Sequence, residues 1–103
     1  MTLVRSPAFW QDLQGITDFF TDVKAEKTAR RFARELDHTI DFIARFPDLG
    51  SPWESPDPEL AKLRYRLVKK FKRYLVVYQR LKTRVVVLRV FHASQNVEEL
   101  LNE

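Results

Sequence analysis

Arg73-Tyr74-Leu75-Val76-Val77-Tyr78-Gln79-Arg80-Leu81, then Lys82-Thr83, then Arg84-Val85-Val86-Val87-Leu88-Arg89-Val90-Phe91: this stretch decides the fold. β-Branched and aromatic residues dominate both runs and a short polar connector joins them, which predicts a β-hairpin. The second run is apolar on both alternations, with Val86, Leu88 and Val90 pointing one way and Val85, Val87 and Phe91 the other. Such a strand needs cover on both faces of its sheet.

Working backwards, Lys62 to Val68 alternates, with Leu63, Tyr65 and Leu67 on one face and Lys62, Arg64 and Arg66 on the other. The connector Lys69–Lys72 then extends the hairpin into a three-stranded antiparallel meander. Working forwards, Asn96-Val97-Glu98-Glu99 has a capping residue with Glu three positions on, which predicts a short helix over about 97–102. Before the sheet, residues 47–61 hold Pro47, Pro52, Pro56, Pro58 and Gly50 and read as a long loop with Trp53 in its middle. Upstream of that, Ala29, Phe32, Leu36, Ile40 and Ile43 form one helical stripe over about 25–45, ended by Phe46-Pro47. Arg30, Arg31, Arg34, Glu35, Asp37 and Asp41 mark its wet side. Phe9, Leu13, Ile16 and Phe20 form a second stripe over about 7–21, started by Ser6 as cap and Pro7 at the first position. Gly15 weakens this helix. Thr2 to Arg5 reads as a short strand. The fold class is α+β, in the order β-α-α-β-β-β-α: an N-terminal helical hairpin on a twisted antiparallel sheet, all in one domain spanning residues 1–103. One layer of helices leaves an apolar sheet face for the last helix and a partner to cover.

Charge is distributed unevenly. Residues 1–61 hold 7 Lys/Arg against 11 Asp/Glu, whereas residues 62–103 hold 11 against 3. Between Lys62 and Val97 there is no acid, so the sheet attracts anions: a nucleic acid or an acidic protein segment. The chain lacks cysteine, which removes disulfides and thiolate chemistry and fits a reducing cytosol. The first eleven residues lack the apolar core of a signal peptide, and no run approaches the roughly 18 apolar residues of a membrane span.

Composition also narrows the chemistry. Two glycines build no phosphate-cradling loop, and His38 and His92 alone make a poor zinc site. His38 falls on the polar side of its helix. Asp37 and Asp41, one turn apart and near Arg34 and Arg45, read as surface ion pairs. Ser94 lies two residues from His92 with no third group for a nucleophilic triad. Arg64, Arg66, Arg73 and Arg89 remain to be weighed. Arg89 interrupts an apolar strand; it either reaches an acid of the helical layer or contacts a phosphate or carboxylate. His92 either bonds the turn before the last helix or acts as an acid or base on a phosphodiester. Tyr65, Tyr74 and Tyr78 either fill the core or stack on bases.

Four pieces carry a family resemblance: Ile43-Ala44-Arg45-Phe46-Pro47-Asp48-Leu49-Gly50, Leu63-Arg64, Arg73-Tyr74-Leu75-Val76-Val77-Tyr78 and Val87-Leu88-Arg89-Val90-Phe91-His92. In order and spacing the chain resembles the ParE/RelE superfamily of type II toxins, on the ParE side. It differs after His92, where Gln95-Asn96 stands in place of the usual Arg-Asp pair, and in a longer, more acidic loop from Ser51 to Ala61. The resemblance implies a cytoplasmic, growth-inhibiting toxin that needs no cofactor or metal. It is held in a hetero-oligomer by a cognate ParD-like antitoxin, whose acidic or amphipathic C-terminal segment wraps it. It implies poisoning of DNA gyrase by binding, with Arg64, Arg66, Arg73, Arg89 and Trp53 facing target or antitoxin. The RelE-like alternative is ribosome-dependent mRNA cleavage, with Arg64, Arg73, Arg89 and His92 as catalytic candidates.

Overall fold

A computed structural model describes residues 1–102. β1 (Thr2–Arg5) leads into α1 (Pro7–Asp22) and α2 (Glu26–Arg45). A 3-10 turn, Pro47–Leu49, precedes the two-residue strand β2 (Ser51–Pro52), and a second, Leu60–Lys62, precedes β3 (Arg64–Val68). β4 (Phe71–Arg80), β5 (Arg84–His92) and α3 (Val97–Leu101) complete the chain. The sheet order is β1-β5-β4-β3-β2. The meander is antiparallel as expected, whereas β1 pairs with β5 in parallel, Thr2 opposite Arg84 through Arg5 opposite Val87. The loop after α2 contributes the edge strand β2, a fifth strand that no alternation in Ser51-Pro52 signals.

Ser6 explains how a strand becomes a helix within one residue. Its backbone N–H donates to the Val87 carbonyl at 2.9 Å. Its hydroxyl accepts from the Phe9 N–H at 3.1 Å and donates to the Leu88 carbonyl at 2.6 Å. That carbonyl is free because β5 carries a bulge: Tyr78 faces Val87 and Val77 faces Arg89, so Leu88 has no partner on β4. The extra residue shifts the phase of the strand. Val85, Val87 and Val90 face the helices, while Leu88 and Phe91 face away. The expectation that Val90 shares a face with Val86 and Leu88 is corrected by the bulge, which simple alternation does not encode.

Phe9, Phe32, Leu36, Ile40 and Ile43 close over Val76, Tyr78, Val85, Val87 and Val90 as the main core. On the far face Leu60, Leu63, Leu75, Val77, Phe91 and Val97 form a second cluster. The apolar face expected to be shared between the last helix and a partner is thus covered by α3, as expected, and by the loop, which takes much of the partner's expected place. Five residues form no stable helix alone; burial of Val97, worth about 2 kcal/mol, anchors α3 to the sheet. Val4 and Leu67, 42% and 44% exposed, stay open on that face among the described residues.

Two polar expectations also change. Glu35 is buried rather than wet: it lies beneath the β3–β4 turn, with Oε1 3.7 Å from His38 Nδ1 and 4.0 Å from Lys70 Nζ, and Oε2 without a partner. Its neighbour Thr39 accepts the Lys69 N–H at 3.0 Å, which fixes that turn on α2. Asp37 and Asp41 make no ion pair with Arg34 or Arg45 among the described residues; exposed on α2, all four keep their water instead.

Candidate functional site

The motif Phe46-Pro47-Asp48-Leu49-Gly50 owes its shape to three side chains of the sheet. Tyr78 Oη donates to the Pro47 carbonyl at 2.7 Å. Arg64 Nη1 donates to the Gly50 carbonyl at 2.8 Å and to that of Asp48 at 3.2 Å. Arg80 Nε lies 3.1 Å from the Asp48 carboxylate. Gly50 is required by this close approach, since a Cβ would overlap the Tyr78 hydroxyl and ring. Burial raises the Tyr78 pKa above its usual 10.0, and Tyr74 shifts the same way for the same reason. Two of the three tyrosines therefore serve the core. The third, Tyr65, meets Trp53 edge-on at 5.4 Å.

The other candidates are held apart. Arg66 extends along the helix face, its guanidinium 3.9 Å from the Phe42 ring centroid. Arg73 is exposed on the far face of β4. Arg89 turns round the sheet edge to Asp12 of α1 in a two-pronged pair at 2.7 and 2.8 Å, and Asp12 also accepts the Val90 N–H at 3.1 Å. Arg89 further reaches the Leu100 carbonyl at 3.4 Å and lies 4.6 Å from the Phe91 centroid. Of its two readings, the acid of the helical layer is the one present. His92 accepts the Ser94 N–H at Nδ1, 3.0 Å away, with the Ser94 hydroxyl at 2.7 Å and the Tyr74 ring edge-on at 4.9 Å. Trp53 is half-buried and donates to Glu98 of α3 at 3.2 Å, so it locks the loop to the last helix.

Register fixes the spacing. Arg64 faces Tyr78 and His92 faces Tyr74, on opposite sides of β4. Four residues along and two strand spacings across put their Cα atoms about 16 Å apart. Among the described residues no group of His, Asp or Glu gathers as metal ligands would.

Two surface grooves among the described residues bear on the site. One, of about 680 Å³, runs between α2 and the β3 edge, with Phe42, Tyr65, Arg66, Lys69 and Lys72 in its walls. β2 pairs only with Arg64 and Tyr65, so the rest of the β3 edge opens on this groove. Phe46, 48% exposed, meets the groove residue Phe42 ring to ring at 5.0 Å. Apolar surface and cations thus meet here. In the sequence Lys69 and Lys72 read as solvated turn residues and Phe42 falls outside the core stripe; the available signal is His38-Phe42-Phe46, a second i, i+4 line beside that stripe. The other groove, of about 610 Å³, lies between α1 and the ends of β4 and β5, with Gly15, Ile16, Phe19, Tyr74 and His92 among its walls. No helix among the described residues is long and apolar enough to cross a membrane.

The fold is shared with solved structures. One, described as the chromosomal ParDE toxin–antitoxin system from P. aeruginosa, superposes with a TM-score of 0.73 at 14% identity, over 89% of this chain and 95% of that one. A YoeB/ParE toxin from Agrobacterium tumefaciens superposes with a TM-score of 0.62 at 19% identity, over 89% and 98%. No curated sequence relative matches. The family model for the ParE toxin of the type II toxin–antitoxin system parDE matches residues 3–97. With nearly its whole length so matched, and with helical hairpin, sheet and C-terminal helix in place, the chain belongs to the ParE toxin family of type II toxin–antitoxin systems.

Proposed function

We propose that the whole chain acts as one toxin domain in the cytoplasm, arresting growth by binding DNA gyrase rather than by cutting RNA. The observation that carries this reading is the dispersal of the nuclease candidates. Phosphodiester cleavage needs a proton-transfer group and cations within hydrogen-bond reach of the same reacting atoms. Here Arg64 is held by two carbonyls about 16 Å from His92, Arg89 is engaged by Asp12, and Arg73 sits on the other face from His92. Arginines held by their own fold suit a rigid binding surface.

The antitoxin, ParD-like in the family pattern, takes the groove beside α2. Arg66, Lys69 and Lys72 supply positive charge, and Phe42 with its ring neighbour Phe46 supplies apolar surface. An acidic amphipathic segment satisfies both at once. Arg66 is the contact residue of the original set that lines this groove; Arg73 remains available to a target on the far face.

Expressing the chain alone and scoring DNA damage against mRNA cleavage tests the reading. Growth arrest with chromosome breaks and an SOS response is expected. Intact chromosomes together with codon-phased mRNA cuts, lost in an Arg64→Ala, His92→Ala double variant, would replace it with the endonuclease reading.

A further inference from the structure

The outer face of α1 holds a glycine that the fold does not need. Gly15 sits in mid-helix, where glycine weakens the element. Its φ is not positive, and a Cβ there would meet nothing within 4 Å. Neither conformation nor internal packing accounts for it. Gln11, Gly15, Phe19 and Val23 recur every four residues as one exposed line, and Phe19 is 56% exposed. Gly15 also forms part of the wall of the groove floored by Tyr74, Val90 and His92. A missing side chain beside a groove lets another backbone approach closely.

The geometry points to a helix rather than a strand as the occupant. Beyond β1, the edge of β5 is already closed by side chains: Ser6 on the Leu88 carbonyl, Asp12 on the Val90 N–H and Gln95 on the His92 N–H. These leave little for an added strand to pair with. Charge narrows the choice further. Between Pro7 and Asp22 the chain carries Asp12, Asp18 and Asp22 and no Lys or Arg. Asp12 is engaged by Arg89, while Asp18 and Asp22 stand exposed beside Phe19 and Val23. A second copy of α1, or an acidic antitoxin segment, would set acid against acid.

We propose that this face receives an amphipathic helix flanked by Lys or Arg, crossing α1 at Gly15, and that the helix belongs to the toxin's target and not to its antitoxin. The inference rests on the toxin reading and adds a second, oppositely charged surface to it.

Two variants test it without weakening the fold. Gly15→Leu fills the crossing point with a better helix former. Asp18→Lys with Asp22→Lys reverses the charge, and Lys in the last turn favours the helix dipole. Both are expected to melt at or above the wild-type temperature and to be neutralised normally by the antitoxin encoded beside the chain. Both should need about ten-fold more expression to arrest growth. Wild-type growth arrest from either variant would overturn the inference, as would loss of antitoxin binding in parallel with toxicity. A wild-type chain that arrests nothing would instead remove the toxin reading beneath it.

Discussion

Replacing Asp12 with Ala should be among the most damaging single changes to this protein, although Asp12 lies outside the sheet. Three hydrogen bonds converge on its carboxylate: two from Arg89 at 2.7 and 2.8 Å and one from the Val90 N–H at 3.1 Å. The side chains are only 14% and 21% exposed, so neither the guanidinium nor the amide is readily rehydrated. Breaking a buried pair by removing one partner costs about 3–5 kcal/mol. The residual exposure of Arg89 places this case at the low end, about 3 kcal/mol. At roughly 4–8 °C per kcal/mol for a domain of this size, the melting temperature should fall by about 12–24 °C. Denaturant unfolding of Asp12→Ala, Arg89→Met and the double variant closes a cycle, in which a coupling of about 1.5–3 kcal/mol is expected. A coupling below about 0.5 kcal/mol would refute the view that Arg89 is held in place as a structural clamp.

Other outcomes follow from the same geometry. Gly50→Ala drives a methyl group into Tyr78 and should cost about 2–4 kcal/mol by displacing the Pro47–Gly50 turn, measurable as a lower urea midpoint. Tyr78 and Tyr74 keep their protons to higher pH when folded than when unfolded. Stability should therefore hold below about pH 10 and fall as pH rises beyond it, and Tyr78→Phe should flatten that decline in urea midpoints taken from pH 9 to 11. Glu35→Met removes a buried carboxylate that has one unbonded oxygen; calorimetry should show stability unchanged or raised by about 1 kcal/mol.

Much of this architecture is legible in the residues because periodicity is local. The stripes Phe9-Leu13-Ile16-Phe20 and Phe32-Leu36-Ile40-Ile43 and the alternation Leu63-Tyr65-Leu67 name their elements and their buried faces. The phase of Val90 is hidden because the bulge at Leu88 leaves no mark in the alternation, and the residue that takes up its freed carbonyl, Ser6, lies 82 positions away. Partners across the chain are hidden for the same reason. Arg89 stands out as a charge in an apolar strand, yet nothing nearby in sequence points to Asp12, 77 positions earlier. The solvent-facing side of α1 carries a signal of its own, a mid-helix glycine in a line of exposed residues, which only acquires meaning once its empty surroundings are seen.

In the proposed function this toxin works by binding, with its arginines serving structure and recognition. Purified chain added to purified gyrase and relaxed plasmid tests it most directly. Supercoiling should stop, cleaved DNA should accumulate, and both effects should disappear when the antitoxin is added first. Full supercoiling in the presence of excess chain, while the same preparation cuts mRNA on translating ribosomes, would contradict the claim.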